Sequence, residues 1–313
     1  MVGQRVVIRR LVRGETGPTG GPAFTDLLGI CTAWNDVFMT LVSDSSHTEG
    51  MSIRVALADI VSGKPVPPRP SHLTRVPARD AELRGLGLVA SVDTAPLGDW
   101  VLRTDPAPVG RLLKRANSCL AMGAPGVPFD DAIAEVITFY SGRDRPPMAQ
   151  VEQGSDLEAS FLEAGWEPLG RGDASFQAVP LSRLHRLLDP RQGRRTDHTR
   201  GTDTEHVEVQ PVVTANDTAV TVDLRDAHGT RIAVGSGILD DDWLGIHGLT
   251  VDASHRRRGL ATAVMAELVE WGAERGVRTV WLHVETDNAP ALALYERLGF
   301  SEHHAVCYLV PRS

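Results

Sequence analysis

Over the first 62 residues, short apolar runs alternate with turn-forming clusters: RVVIRRLV, DLLGICTAW, VFMTLV and MSIRVAL are separated by stretches such as GETGPTGGP and SDSSHTEG. Strands this short, interrupted this often, predict a small all-β barrel over residues 1–62. A helical period replaces the alternation near the C-terminus. Leu260, Val264, Leu268 and Trp271, with Ala261 and Met265 beside them, recur at the spacing of one helix face and predict a helix laid on a sheet. Arg275 and Gly276 stand where a C-terminal charge and a cap are expected. The strand-like WLGIHGLTV lies just upstream.

Two stretches carry neither period. Residues 62–71, SGKPVPPRPS, contain four prolines, which favour extended backbone and forbid a helix. Residues 189–205, DPRQGRRTDHTRGTDTE, are polar and mixed in charge, so they cannot build a core. As linkers they leave three domains: 1–62, 75–185 and 205–313. The last two resemble each other. Tyr295 stands four residues before Gly299-Phe300, and Phe161 four before Gly165-Trp166. VWLHVE and MAQVEQ precede these segments, and AVCYLVP and ASFQAVP follow them. An internal duplication is expected.

Composition narrows the class. At 313 residues the chain has room for more than one core, and 42% hydrophobic with 23% charged residues is ordinary for a soluble globular protein. No run of about 18 apolar residues occurs, so no membrane span is expected. The start, MVGQRVVIRR, lacks the apolar core and cleavage site of a signal peptide, which points to the cytoplasm. Cys31, Cys119 and Cys307 lie too far apart for a metal or disulfide framework and read as small buried hydrophobes. The net charge of −8 speaks against broad nucleic-acid or anionic-membrane binding. For the barrel it leaves a packing or homodimerisation role, although the strand count alone is similar to a Tudor-like barrel.

Against that acidic background, HRRRGLATAV at residues 255–264 needs a local explanation. Strand, basic glycine turn, then helix aims backbone N–H groups and the positive end of the helix dipole at a bound anion. No phosphate-binding G-x-x-x-x-G-K-S/T and no G-x-G-x-x-G after a strand is present.

These residues resemble the GNAT superfamily of N-acetyltransferases. Its hallmark is Gln or Arg, two residues, Gly, one residue, then Gly or Ala at a strand-to-helix turn. Here it stands as Arg256-Arg257-Arg258-Gly259-Leu260-Ala261, preceded by GLTVD. The family's second segment follows as Asn288, Ala291, Tyr295, Gly299 and Phe300. The resemblance covers residues 205–313, extends to 75–185 as a degenerate copy, and does not reach the N-terminal segment. It implies a duplicated α/β fold, a mixed sheet flanked by helices, behind the small barrel.

The resemblance also implies acetyl-CoA as cofactor, its pyrophosphate held by N–H groups from Arg256 to Thr262. Leu249, Thr250 and Val251 would pair with the pantetheine arm, and Tyr295 would protonate the leaving thiolate. Asn288 either contacts the cofactor or caps the helix that Pro290 begins, and the two are compatible. At the position where some relatives carry a glutamate base, this chain has His283. His247, expected to share a strand face with Leu249 and Val251, is the second candidate base, and Glu285 the third. Aligning the copies without gaps sets Met122 opposite Arg256, Pro125 opposite Gly259, Val127 opposite Ala261 and Phe161 opposite Tyr295. Proline offers no N–H and phenylalanine no proton, so only the C-terminal copy is expected to act. The expected function is direct acetyl transfer to the amine of a small molecule or peptide. The alternative is a non-catalytic acyl-CoA sensor. The acidic surface favours cationic acceptors by long-range attraction.

Overall fold

The computed structural model describes residues 2–17, 20–43, 51–66, 72–88, 92–108, 110, 112–188 and 209–312. They divide into two units, residues 1–71 and 72–313. In the first, Val6 and Ile8 take alternate inward positions on β1 (Arg5–Thr16). They pack on Cys31 of β2 (Pro22–Trp34), Met39 and Leu41 of β3 (Phe38–Ser43) and Val55 of β4 (Ser52–Ala56). With β5 (Ile60–Pro65) these strands form an antiparallel sheet in the order β4-β3-β2-β1-β5. The expected barrel is therefore corrected to an open sheet among the described residues. The short turn Leu57–Asp59 carries the chain from β4 across to β1, and β4 and β5 remain on opposite edges. The proline-rich stretch also begins within a strand, since Ser62 to Pro65 belong to β5. An edge strand tolerates Pro65 because one side needs no ladder donor.

The second unit holds one mixed sheet. Its first half contributes α1 (Ala78–Leu83), β6 (Asp93–Leu97), β7 (Trp100–Thr104), β8 (Cys119–Leu120), α2 (Phe129–Ser141), β9 (Ala149–Glu152), α3 (Asp156–Glu163), β10 (Trp166–Pro168), β11 (Ala174–Pro180) and α4 (Leu181–Leu188). The second half contributes β12 (Gln210–Ala215), β13 (Ala219–Arg225), β14 (Arg231–Asp240), β15 (Trp243–Val251), α5 (Leu260–Glu274), β16 (Thr279–Glu285), α6 (Ala289–Arg297) and β17 (Ser301–Pro311). The stretch 189–205 lies outside the described residues.

The sheet order is β12-β13-β14-β15-β16-β11-β17-β9-β8-β7-β6, with β10 on β17. From β13 to β6 it reads as a palindrome about the β11–β17 pair. β8 runs parallel to β9 as β15 does to β16, and each parallel pair is followed by the last strand of the other half. The described strands of both halves thus build one continuous sheet. The apolar face of α5 supplies Leu260, Val264, Leu268 and Trp271 to the larger core, as its period predicts. Trp100, Phe161 and Trp166 centre the core of the other half.

Candidate active site

β15 and β16 pair only from Trp243 opposite Thr279 to Ile246 opposite Leu282, then run on unpaired to Val251 and Glu285. A bulge at the point of divergence accounts for the split. The register of β14 against β15 slips between Val234 and Ser236, so Gly248 and Leu249 together face Gly235, and Gly248 has φ +64°. A glycine bulge sharpens the twist of one strand and turns it from its neighbour.

The bulge also reverses the side-chain alternation. Leu244 and Ile246 face the core under α5, and so do Leu249 and Val251, while His247 lines a cavity on the opposite face. The expectation that His247 shares a face with Leu249 and Val251 is corrected accordingly: the extra residue shifts the parity of the strand. On β16, Val284 faces the α5 core, and His283 and Glu285 join His247 at the cavity.

Beyond β15 the chain makes the basic turn. Asp252 accepts a 2.9 Å hydrogen bond from the Ser254 N–H, and Arg256 Nε donates to the Val251 carbonyl at 3.3 Å, tying the turn to the strand end. Arg257 and Gly259 both take left-handed backbone, φ 63° and 79°. Gly259 is the N-cap of α5, and the first bond of the ladder runs from Ala263 N–H to Gly259 carbonyl. The N–H groups of Leu260, Ala261 and Thr262 therefore precede the helical ladder. Arg256, Arg257, Arg258 and Gly259 are exposed while Leu260 is buried, so the turn faces solvent on an anchored helix.

Asn288 caps α6, its Oδ1 accepting from Ala291 N–H at 3.3 Å. About two helical turns on, Tyr295 is buried in the α5-side core, its ring 5.6 Å from that of Phe300. Burial raises its phenol pKa. The split thus separates Tyr295, on the α5 face, from His247 and His283 on the other.

The cavity measures about 360 Å³ and includes Arg103, Lys114, Arg115, Tyr308 and the Leu86–Leu88 turn in its lining. Behind its wall lies a polar network that the sequence did not disclose. Glu82 Oε1 meets His283 Nε2 at 2.6 Å and His304 Nε2 at 3.0 Å, and Glu82 Oε2 accepts from Gln150 Nε2 at 2.8 Å. Arg115 donates to His283 Nδ1, so His283 is a neutral ring whose Nε2–H donates to Glu82. Both of its nitrogens are engaged. Burial, then Arg115, lowers the His283 pKa to about 4 against the pull of Glu82. Burial pushes Glu82 upward, but His283 and His304 outweigh it and hold the carboxyl well below its usual range. Burial and then Arg115 lower His247 as well. Cys307 packs in the core of the first half, its Sγ 3.4 Å from Glu158 Oε1, and burial pushes its thiol up to about 12.

In the first half, the turn that precedes α2 is closed. Asp99 Oδ2 accepts the Ala124 N–H at 2.9 Å, Asp99 N–H bonds the Ala124 carbonyl at 2.7 Å, and Pro125 has no N–H. Phe161 stacks on Trp100 at 5.5 Å, where the second half has Tyr295. Among the described residues no three His, Cys, Asp or Glu side chains are grouped to hold a metal ion. No described helix is long and apolar enough to cross a membrane.

Comparison with known proteins agrees with this geometry. Residues 187–300 match the acetyltransferase (GNAT) family model. The chain is 41% identical over 70 residues to the [ribosomal protein bS18]-alanine N-acetyltransferase of Escherichia coli strain K12, covering 22% of this chain and 46% of that relative. It thus spans about half the length of that curated relative. Mycothiol acetyltransferase of Clavibacter sepedonicus is 31% identical over 237 residues, covering 71% of this chain and 75% of the relative. A GCN5-related N-acetyltransferase from Kribbella flavida shares the fold, with TM-score 0.54 and 19% identity over 78% of this chain and 97% of that one. On the split strands, the basic turn that follows them and the extent of these matches, the chain belongs to the GNAT acetyltransferase family.

Proposed function

We propose that this chain transfers an acetyl group from acetyl-CoA to a primary amine on a small-molecule or peptide acceptor, with the second half of the sheet carrying the chemistry. The observation that carries this reading is the β15–β16 split, which joins the exposed turn Arg256–Arg257–Arg258–Gly259 to the cavity lined by His247. The turn fits a pyrophosphate: it offers N–H groups from Leu260 to Thr262, three guanidinium groups and the positive end of a helix of 15 residues. The unpaired edge of β15 at Leu249, Thr250 and Val251 offers backbone groups to an amide-bearing arm. Acetyl-CoA would supply the activated acyl carbon.

The chain's own groups then have distinct tasks. His247, kept neutral by burial and Arg115, takes the proton of the attacking ammonium. Tyr295, kept protonated by burial, gives its proton to the departing thiolate from the other side of the split. His283 serves to orient Arg115, because its nitrogens are bound to Glu82 and Arg115. Asn288 caps α6, and its amide N–H groups remain for the coenzyme.

The two halves are read as a duplication with exchanged final strands, in which Asp99 and Pro125 have closed the first half's anion turn. A cytoplasmic location is part of the proposal. The relatives' names set one acceptor on a ribosomal protein alanine and the other on mycothiol, so the common ground is an acetyl acceptor of either size.

The test is calorimetric titration with acetyl-CoA and coenzyme A, followed by mass spectrometry of an amine library incubated with the same preparation. Binding with turnover supports the enzyme. Binding without turnover of any amine selects the non-catalytic sensor, and no binding removes both.

A further inference from the structure

We infer that the acceptor is a small amino acid or amino-acid-like amine whose carboxylate is held by Arg115 inside the cavity behind the strand split. This rests on the acyl-transfer reading and names its substrate class.

Among the described residues that line the cavity, Arg103 and Arg115 bring guanidinium groups, with Lys114 and Glu285 beside them. Among the described residues no carboxylate lies within ion-pair distance of Arg115; its contact is the neutral Nδ1 of His283. Arg103 is 3% exposed and is held by the Ser118 carbonyl, Ser118 Oγ and Gln150 Oε1, all uncharged acceptors.

Glu82 is not part of the lining; its oxygens are taken behind the wall by His283, His304 and Gln150. His303 Nε2 donates to the Leu73 carbonyl, His303 Nδ1 meets His304 Nδ1 at 2.7 Å, and His304 Nε2 meets Glu82. The cavity wall itself carries the guanidinium groups of Arg103 and Arg115.

A planar guanidinium matches a carboxylate bidentately, and the match strengthens away from water. His283, clamped by Glu82, fixes the direction in which Arg115 points. The base assigned to the amine, His247, lines the same cavity, so one ligand presents its amine to His247 and its carboxylate to Arg115. Leu86, Leu88 and Leu113 supply apolar wall for a side chain. The volume of about 360 Å³ falls at the small end of ligand sites. The long-range attraction of the acidic surface for cations is screened within about 8 Å at physiological salt, so the charge at contact decides.

The experiment uses the full chain and amino acids paired with their carboxamides as acetyl acceptors. Expected is a kcat/KM for the acid at least about tenfold above that of its amide, the size of one charge-assisted contact. Arg115→Gln should bring that ratio to near unity and Arg115→Lys should restore part of it, with the coenzyme dissociation constant as the control for folding. Equal rates for acid and amide, or a ratio unmoved by Arg115→Gln, overturn the inference and leave acyl transfer standing. So does preference for succinyl-CoA over acetyl-CoA with carboxamide acceptors, which would place the carboxylate on the acyl chain. Coenzyme binding with none of these amines acetylated overturns it too, and absence of coenzyme binding overturns both readings.

Discussion

Glu82 Oε1 and His283 Nε2 stand 2.6 Å apart across 201 positions of sequence, each side chain 1% exposed. Removing the carboxylate by Glu82→Ala leaves the donors of His283, His304 and Gln150 without their acceptor. The expected cost is about 3 kcal/mol or more, since each buried unsatisfied donor costs about 1–3 kcal/mol. Urea unfolding should show a lower midpoint with an unchanged slope.

The same pair sets a pH dependence of stability. Glu82 has a folded pKa below its unfolded 4.5, so its contribution is present above that value and fades as pH falls. His283 has a folded pKa of about 4 against 6.5 unfolded, so the unfolded chain takes up its proton first as pH drops between those values. Both slopes share a sign. Thermal midpoints should fall from pH 6.5 toward pH 4, and His283→Gln should flatten the upper part of that fall.

For the basic turn, Gly259→Ala is the informative variant. Nothing lies within 4 Å of an added Cβ, so the strain comes from φ +79° alone. That strain is about 1–2 kcal/mol in a residue that has a Cβ. The protein should remain folded while the acetyl-CoA dissociation constant rises about tenfold. Gly259→Asn, better suited to left-handed backbone, should lose less.

How far the sequence disclosed this molecule depends on how local each feature is. The α5 helix, its basic turn and the Asn288 cap were legible because each is set by residues within about one helical turn of one another. His247 was misplaced relative to Leu249 because strand alternation assumes no bulge, and the slip depends on β14, an element away. Glu82 and Arg115 were missed altogether. Their partner His283 lies 201 and 168 positions away, on β16, which pairs with β11 of the first half. The barrel failed for a similar reason: strand count is local, but closure depends on which edge β5 reaches.

Tyr295→Phe separates chemistry from packing. Among the described residues no hydrogen bond is found to the Tyr295 hydroxyl, and the ring packs on Phe300, so the variant should fold with nearly unchanged stability. If the phenol protonates the thiolate, kcat should drop by about 10²-fold or more with the acetyl-CoA KM little changed. Equal losses in both would point to packing.

Coenzyme should bind once per chain, in the second half of the sheet. In the first half Asp99 already fills the place of an anion at the Ala124 N–H. Calorimetry should give a stoichiometry of one, and Asp99→Ala should not raise it, because Pro125 still lacks a donor. A second site in either protein would contradict the closed turn.

The proton acceptor is tested by the pH profile of kcat/KM, which reports ionisations of the free enzyme and free substrate. A His247 base predicts an acid limb with its midpoint below 6.5, because burial and then Arg115 disfavour the imidazolium. Titration of the acceptor amine adds a second limb near its own pKa, about 10, well separated from the first. His247→Asn should remove the acid limb and lower kcat/KM about 10²-fold, the size of one general base. Arg115→Gln removes the second cause of the shift, so the limb should move to higher pH even as acceptor affinity falls. His283→Gln should keep the limb, since that ring has no nitrogen left to accept a substrate proton. An acid limb that survives in His247→Asn and disappears in His283→Gln would return the base to β16.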